Sequence, residues 1–104
     1  MNHSNDIKAR EIKERLTNNE LLNLLDVREK IEYHTHNIGG LNIPVGKLKE
    51  SLEQLQWQYN DEIIVICSAG LRSETAKSIL EQNGYQNVRN LTGGLLAIEK
   101  LQSI

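Results

Sequence analysis

The chain has 104 residues, a formal net charge of −2, 38% hydrophobic residues and 25% charged residues, which suits one compact globular domain rather than a disordered segment. This charge provides no basic footprint for nucleic acid, and no apolar run approaches the roughly 20 residues that span a bilayer. One cysteine excludes an internal disulfide framework and a zinc site built from several thiolates.

The first half of the chain alternates between helical and strand patterns. Apolar residues at helical spacing predict a helix over 9–17, and a nearly continuous apolar run predicts a buried strand within 21–27. Segment 41–44 is a second short strand, which Pro44 ends. Apolar residues at helical spacing over 45–55 then predict another helix.

The second half continues the alternation. Segment 63–66 is β-branched and apolar on both sides, which is typical of a central strand in a parallel sheet. A helical pattern follows and ends near Gly84. Segment 88–91 predicts one more strand, and apolar residues over 97–104 predict a last helical face. Strands that alternate with helices predict an α/β fold with a mostly parallel sheet.

Cys67 lies between the predicted central strand and the helix that follows it. Ligands of parallel α/β sheets bind beyond the carboxyl ends of the strands, so topology alone makes this position a candidate site. The next three residues are small, and Gly70 can adopt a positive φ, so successive N–H groups can point at one anion-sized spot. Together with a helix N-terminus and Arg72, this setting favours the thiolate, and such cysteines have pKa values of roughly 3.5–7.5. The competing interpretation is a buried structural cysteine.

Four motifs, in this order along the chain, resemble the single-domain rhodanese-like sulfurtransferases. The third motif reads Cys-Ser-Ala-Gly-Leu-Arg-Ser and is similar to the family pattern Cys-x-x-Gly-x-Arg-Ser/Thr. The four motifs are Leu24 to Arg28-Glu29 with Glu32-Tyr33, His36 to Pro44, Cys67 to Ser73, and Leu91 to Gly94.

The resemblance implies one rhodanese-like domain over 1–104, built on a doubly wound sheet of about five strands with helices on both faces. We expect residues 1–5 to be a disordered tail. The resemblance also implies that Cys67 takes sulfur from thiosulfate or a persulfide donor and passes it to cyanide, a thiol or a partner protein. Arg72 is expected to help bind the donor, Ser73 to support the loop, and the backbone N–H groups to hold the persulfide. The predicted persulfide-binding loop consists of Ser68, Ala69, Gly70, Leu71, Arg72 and Ser73.

Asp26, Arg28 and His36 are predicted supporting residues. A strand-end carboxylate that caps backbone N–H groups, with an arginine that pairs with it or with a helix end, is commoner than a catalytic acid beside an anion clamp. His36 matches a family position where packing or hydrogen bonding is expected. His34 and His36 without a third ligand make a poor metal site, so we predict neither a metal nor a cofactor.

Three other functions remain open. Cysteine phosphatases and arsenate reductases use a similar cradle, but they place arginine six positions after the cysteine, and Arg72 is fifth after Cys67. A non-catalytic, protein-to-protein sulfur-relay module would use the same loop, and a redox-sensing thiol would carry no transferable sulfur. We expect a cytoplasmic monomer without nucleic-acid or membrane partners, because a free thiol is kept reduced in the cytoplasm.

Overall fold

The structure is a computed structural model that describes residues 5–102. Residues 1–4 of the predicted tail, and Ile104 of the predicted last helical face, lie outside this range; Asn5 accepts a hydrogen bond from Lys77. None of the described helices is both long and apolar enough to cross a membrane. In chain order the elements are α1 (Ala9–Thr17), β1 (Leu24–Asp26), α2 (Lys30–Thr35), β2 (Leu41–Asn42), α3 (Val45–Leu48), a 3₁₀ helix (Lys49–Gln54), β3 (Glu62–Ile66), α4 (Leu71–Gln82), β4 (Asn87–Asn90) and α5 (Gly94–Gln102).

The described strands form one parallel sheet in the order β2-β1-β3-β4. In its register, Leu25 of β1 is paired with Leu41 on one side and Val65 on the other. This confirms the predicted α/β fold and parallel sheet, but the sheet has four strands rather than about five. Ile7 pairs with Leu91 beyond β4 through a single bridge, which is too short to count as a fifth strand.

The core lies on both faces of the sheet. On one face, α3 and α4 pack on side chains such as Leu25 and Val65; on the other, α1 and α5 pack on side chains such as Leu24 and Ile64. The predicted helices on both faces are therefore confirmed. All four residues of 63–66 are fully buried, as their two-sided apolar pattern indicates. Burying each such side chain contributes about 1.5–3 kcal/mol.

Four elements differ from the sequence-based expectations. Strand β2 covers only residues 41 and 42 of the predicted segment 41–44, because Pro44 is already the N-cap of α3. Strand β1 covers only residues 24–26 of the apolar run 21–27, and Leu21 at the start of that run is fully exposed. The predicted helix 45–55 divides into α3 and a 3₁₀ helix. Helix α2 was not predicted at all. It has six residues and no buried side chain, so it carries no apolar stripe; a capping box between Glu29 and Glu32 forms its first turn.

Candidate active site

The Cys67 loop folds around the cysteine sulfur atom. Cys67 directly follows β3, and α4 begins only four residues later, so the chain must reverse direction within a short loop. Gly70 makes this reversal with a φ of 101°, a conformation that strains residues with a side chain. The backbone N–H of Gly70 donates to Cys67 Sγ at 3.0 Å, and the N–H of Ser73 donates to the same atom at 3.4 Å. The loop therefore presents donors from two sides to one sulfur atom.

Two buried polar side chains, those of Ser73 and Asn90, contact the Cys67 sulfur atom and the backbone of the loop. The Ser73 hydroxyl lies 3.3 Å from Cys67 Sγ and within hydrogen-bond distance of Asn90 Oδ1, so its single proton can be donated to one of these two atoms at a time. The Asn90 amide in turn donates to the Gly70 carbonyl at 3.1 Å. Ser73 and Asn90 are buried. Asn90 was missed by the sequence analysis, although a polar residue at the carboxyl end of a strand is the signal that points to it.

The electrostatics of Cys67 favour its ionised form. Burial raises the pKa of the thiol, because a thiolate loses solvation when only 1% of the residue is exposed. Hydrogen bonds from the Ser73 hydroxyl and from the N–H groups of Ser73, Gly70 and Ala69 oppose this effect, and together they hold the pKa of Cys67 below its ordinary value. Cys67 therefore forms the nucleophilic thiolate at a lower pH than a free cysteine does.

Arg72 lies at the loop but is bound by a carboxylate. Its Nη1 and Nη2 atoms donate to the two carboxylate oxygens of Glu32 at 2.6 and 3.0 Å, and Nη2 also donates to Ser68 Oγ at 3.2 Å. Hydrogen bonds from Arg72 first, and from the Glu29 N–H second, lower the pKa of Glu32 to about 2. The sequence analysis did not assign Glu32 to the site, although it belongs to the first motif and to the Glu29–Glu32 capping spacing.

Asp26 and Arg28 form a buried pair that holds α2. Arg28 Nη2 lies 2.8 Å from Asp26 Oδ2, and the Arg28 N–H donates to Asp26 Oδ1 at 3.0 Å. The same guanidinium donates to the carbonyls of His36 at 2.7 Å and Glu32 at 3.4 Å, at the end of α2. The pair thus contacts a backbone N–H group through Asp26 and the backbone of α2 and of the residue after it through Arg28.

The predicted site residues therefore divide into two groups. In the described part of the chain, the hydrogen bonds to Cys67 Sγ come from the loop and from Ser73, and none comes from Asp26, Arg28 or His36. The His36 side chain is exposed, with Nε2 4.0 Å from a Glu99 oxygen. Within residues 5–102, no three His, Cys, Asp or Glu side chains gather as metal ligands.

The first residues of α5 form hydrogen bonds with carbonyl groups of the Cys67 loop. The N–H groups of Leu95 and Leu96 donate to the carbonyls of Cys67 and Ser68, both at 3.0 Å. Gly94 lies directly against these carbonyls at a φ of 62°, and a Cβ on it would overlap both oxygens. The Gly-Gly motif is thus a close approach of two backbones, which fixes the carbonyl side of the loop.

Comparison with known proteins identifies similar sequences. The family model described as the rhodanese-like domain matches residues 8–101. A putative mitochondrial thiosulfate sulfurtransferase of Schizosaccharomyces pombe is 33% identical, over 86% of this chain and 71% of that protein. The thiosulfate sulfurtransferase PspE of Escherichia coli is 39% identical, over 68% of each chain. A putative sulfur carrier protein of Bacillus subtilis, YrkF, is 36% identical over 86% of this chain, which spans about half (48%) of its length.

Solved structures share the fold. SSP1007 of Staphylococcus saprophyticus superposes with a TM-score of 0.79 at 32% identity, over 89% of this chain and 91% of that one. The human single-domain sulfurtransferase TSTD1 superposes with a TM-score of 0.80 over 98% and 99% of the two chains, at 24% identity. The similarity thus extends over nearly the whole chain.

Proposed function

Because the chain belongs to the rhodanese-like family, we propose that it is a sulfurtransferase in which Cys67 carries transferable sulfur as a persulfide. The donor is thiosulfate or a persulfide, and the acceptor is a thiol, cyanide or a partner protein. The observation that carries this proposal is the convergence on Cys67 Sγ of the Gly70 and Ser73 N–H groups and the Ser73 hydroxyl. These donors favour a thiolate, and the persulfide that replaces it is also an anion.

The reaction has two balanced steps. In the first, the Cys67 thiolate attacks the outer sulfur of the donor, and the donor's sulfur–sulfur bond breaks. The leaving group, sulfite from thiosulfate or a thiolate from a persulfide, departs with the electron pair of that bond. In the second, the acceptor attacks the outer sulfur of the Cys67 persulfide, and the Cys67 thiolate is the leaving group. The N–H groups between Ser68 and Arg72 stabilise the negative charge on the outer sulfur.

The hydrogen bonds of the loop support sulfur transfer over oxyanion chemistry. Two N–H groups of the loop, those of Gly70 and Ser73, converge on one sulfur atom, and the Arg72 guanidinium is engaged by the Glu32 carboxylate. A phosphatase or arsenate reductase needs a ring of donors around three oxygens. Turnover of an aryl phosphate by the purified protein would revive that alternative.

Protein-to-protein sulfur relay is the second candidate. Its support is the similarity to a putative sulfur carrier protein. The persulfide chemistry is then unchanged, but the donor and the acceptor are both proteins. Negligible turnover with thiosulfate and cyanide, together with loading from a persulfide-bearing protein, would favour this candidate.

The proposal is tested by mass spectrometry of the purified chain. After incubation with thiosulfate or with a persulfide, and removal of the excess, we expect a gain of one sulfur atom on the peptide that contains Cys67. Cyanide should remove it as thiocyanate, and Cys67→Ser should abolish the gain completely. Ser78→Ala, at an exposed position of α4, is the matched control and should load normally. Absence of the adduct with both donors would overturn the proposal.

A further inference from the structure

The guanidinium beside Cys67 is neutralised before any donor arrives. Glu32 engages Arg72 with both carboxylate oxygens, so the pair is bidentate. Because the pKa of Glu32 is lowered to about 2, its carboxylate stays ionised throughout the neutral pH range. The pKa of Arg72 is raised chiefly by Glu32, and less by the Cys67 thiolate and by Glu29. The positive charge of Arg72 is thus directed at carboxylates more than at the reactive sulfur.

The Glu32 carboxylate is held in place independently of Arg72. The N–H of Glu29 donates to Glu32 Oε1 at 3.0 Å, which fixes the carboxylate to the first turn of α2. The buried Arg28 donates to the backbone carbonyl of Glu32 within α2 and to that of His36, which directly follows α2. Arg28 itself is fixed to Asp26 at the end of β1. The position of the Glu32 carboxylate is therefore fixed by α2, and α2 is fixed to the sheet through Arg28 and Asp26. It does not depend on Arg72 alone.

An exposed apolar residue precedes each member of the charged pair in the sequence. Ile31, which precedes Glu32, is 76% exposed, and Leu71, which precedes Arg72, is 74% exposed. Leu96, whose N–H donates to the Ser68 carbonyl, is 50% exposed. The residues in and around the loop therefore combine an arginine whose charge is balanced by Glu32 with exposed apolar side chains. This combination fits a donor with an organic body better than a small, doubly charged, strongly hydrated anion.

We propose that Glu32 is a specificity-determining residue that makes Cys67 prefer an organic persulfide over thiosulfate as its sulfur donor. This inference rests on the proposed function and names the substrate class. Thiosulfate carries two negative charges, and it must approach a thiolate whose neighbouring cation is already neutralised. An organic persulfide carries at most one negative charge on the transferable sulfur. Cys67 takes that outer sulfur, and the inner sulfur leaves with the bonding electrons as a thiolate, which is then protonated by water.

The first test compares the two donors on the full chain. We would measure the second-order rate constant of sulfur loading on Cys67 with thiosulfate and with the persulfide of 2-mercaptoethanol. Glu32→Gln keeps the shape of the side chain and removes its charge. We expect it to raise the rate constant for thiosulfate about tenfold and to change that for the persulfide less than about threefold. Glu81→Gln, at an exposed position on the last turn of α4, makes the same charge change and should alter neither rate more than about twofold.

A second test needs no sulfur transfer. Iodoacetate and iodoacetamide alkylate the thiolate by the same reaction, but only iodoacetate is charged. We expect Glu32→Gln to raise the iodoacetate-to-iodoacetamide rate ratio at Cys67 several-fold, and Glu32→Asp, which keeps the charge, to leave the ratio near that of the unmodified chain. If Cys67 accepts sulfur from neither donor, the proposed function fails while this ratio still tests Glu32.

Two outcomes would overturn the inference. One is a folded Glu32→Gln variant in which the loading rate constants for the two donors change equally and the iodoacetate-to-iodoacetamide ratio is unchanged. Glu32 would then only support the loop. The other uses no variant, and it applies even where Glu32→Gln does not fold. Like charges repel less as salt is added, so in the unmodified chain we expect loading from thiosulfate to accelerate with ionic strength and loading from the neutral-bodied persulfide to change little. A thiosulfate rate that falls with salt contradicts a neutralised Arg72.

Discussion

The two ends of the sheet both carry arginine–glutamate pairs, but they are built differently. At the amino end, Glu62 at the start of β3 accepts from Arg15 at 2.6 and 2.9 Å and from Arg89 at 2.8 Å. One carboxylate thus joins two guanidiniums from α1 and β4. At the carboxyl end, the Arg72 guanidinium faces the carboxylate of Glu32 beside a nucleophilic thiol. The same pairing chemistry serves as a clamp between elements at one end and sets the charge near Cys67 at the other.

What distinguishes the reactive end is its backbone. The amino-end cluster is made by long side chains that can adjust when a neighbour changes. The Cys67 loop is made by N–H groups and carbonyls in fixed positions, with Gly70 and Gly94 at positive φ. We therefore expect the addition of one methyl group where α5 meets the loop to be more damaging than the loss of a charge from the amino-end cluster.

The largest effect is expected from Gly94→Ala. Its Cβ would overlap the Cys67 and Ser68 carbonyl oxygens at a positive φ. We expect a loss of about 3 kcal/mol or more in the free energy of unfolding, because strain and overpacking add, and a displaced loop that loads little sulfur. Denaturant unfolding and the mass assay measure these two effects.

Gly46→Ala is the control for this change. A Cβ on Gly46 meets nothing within 4 Å, and Gly46 lies within α3 without a positive φ. We expect it to stabilise the fold by about 0.4–1 kcal/mol. Equal effects of the two substitutions would contradict the view that the close approach of α5 defines the loop.

Ser73→Ala is expected to have an intermediate effect. It removes the hydroxyl that lowers the pKa of Cys67, and it leaves Asn90 Oδ1 without this donor. The pH midpoint of Cys67 alkylation by iodoacetamide should move upward, and the free energy of unfolding should fall by about 1–3 kcal/mol. Ser78→Ala, exposed on the same helix, should leave the midpoint unchanged. An unchanged midpoint in Ser73→Ala would mean that the backbone N–H groups alone set the thiolate.

The smallest effect is expected from Glu62→Gln. Loss of one half-buried carboxylate should lower the free energy of unfolding by about 1 kcal/mol at pH 7 and leave sulfur loading unchanged. Hydrogen bonds from Arg15, and to a lesser extent from Arg89, lower the pKa of Glu62 against the effect of burial. Ionised Glu62 therefore stabilises the fold above the unfolded-state pKa of about 4.3.

That contribution is lost as the pH falls through the lower pKa of Glu62 in the folded state, so the difference between Glu62→Gln and the unmodified chain should shrink in acid. Denaturant unfolding at several pH values measures it, with Glu14→Gln on an exposed part of α1 as the control. A difference that grows in acid would contradict the ion-pair account.

The fold could be predicted well where apolar side chains repeat. The apolar patterns of segment 63–66 and of the helix after it predicted which side chains are buried. The resemblance based on four motifs is confirmed by the family match over residues 8–101. Helix α2 has no buried face, so hydrophobic periodicity could not reveal it; only its capping box was visible. The start of β1 differs from the prediction because Leu21 is apolar but exposed, and a sequence pattern does not show which apolar residues are left in solvent.

The Cys67 loop could be placed because its residues are contiguous. The partners that tune it could not, because they come from other elements. Glu32 lies 40 positions before Arg72, and Asn90 lies 17 positions after Ser73. Arg72 was expected to face the donor; its pairing with Glu32 depends on α2 and on how it packs, which spacing does not encode.

The contact of α5 with the loop also has a consequence for the newly made chain. Leu95 and Leu96, which hold the carbonyls of Cys67 and Ser68, are synthesised after the cysteine by an interval on the order of seconds. Until they dock, the loop lacks the partners that fix its carbonyls, and the thiol has the modest reactivity of an unfolded cysteine. The loop geometry that lowers the pKa of Cys67 is therefore expected to be complete only after the last helix has been synthesised and has docked on the loop.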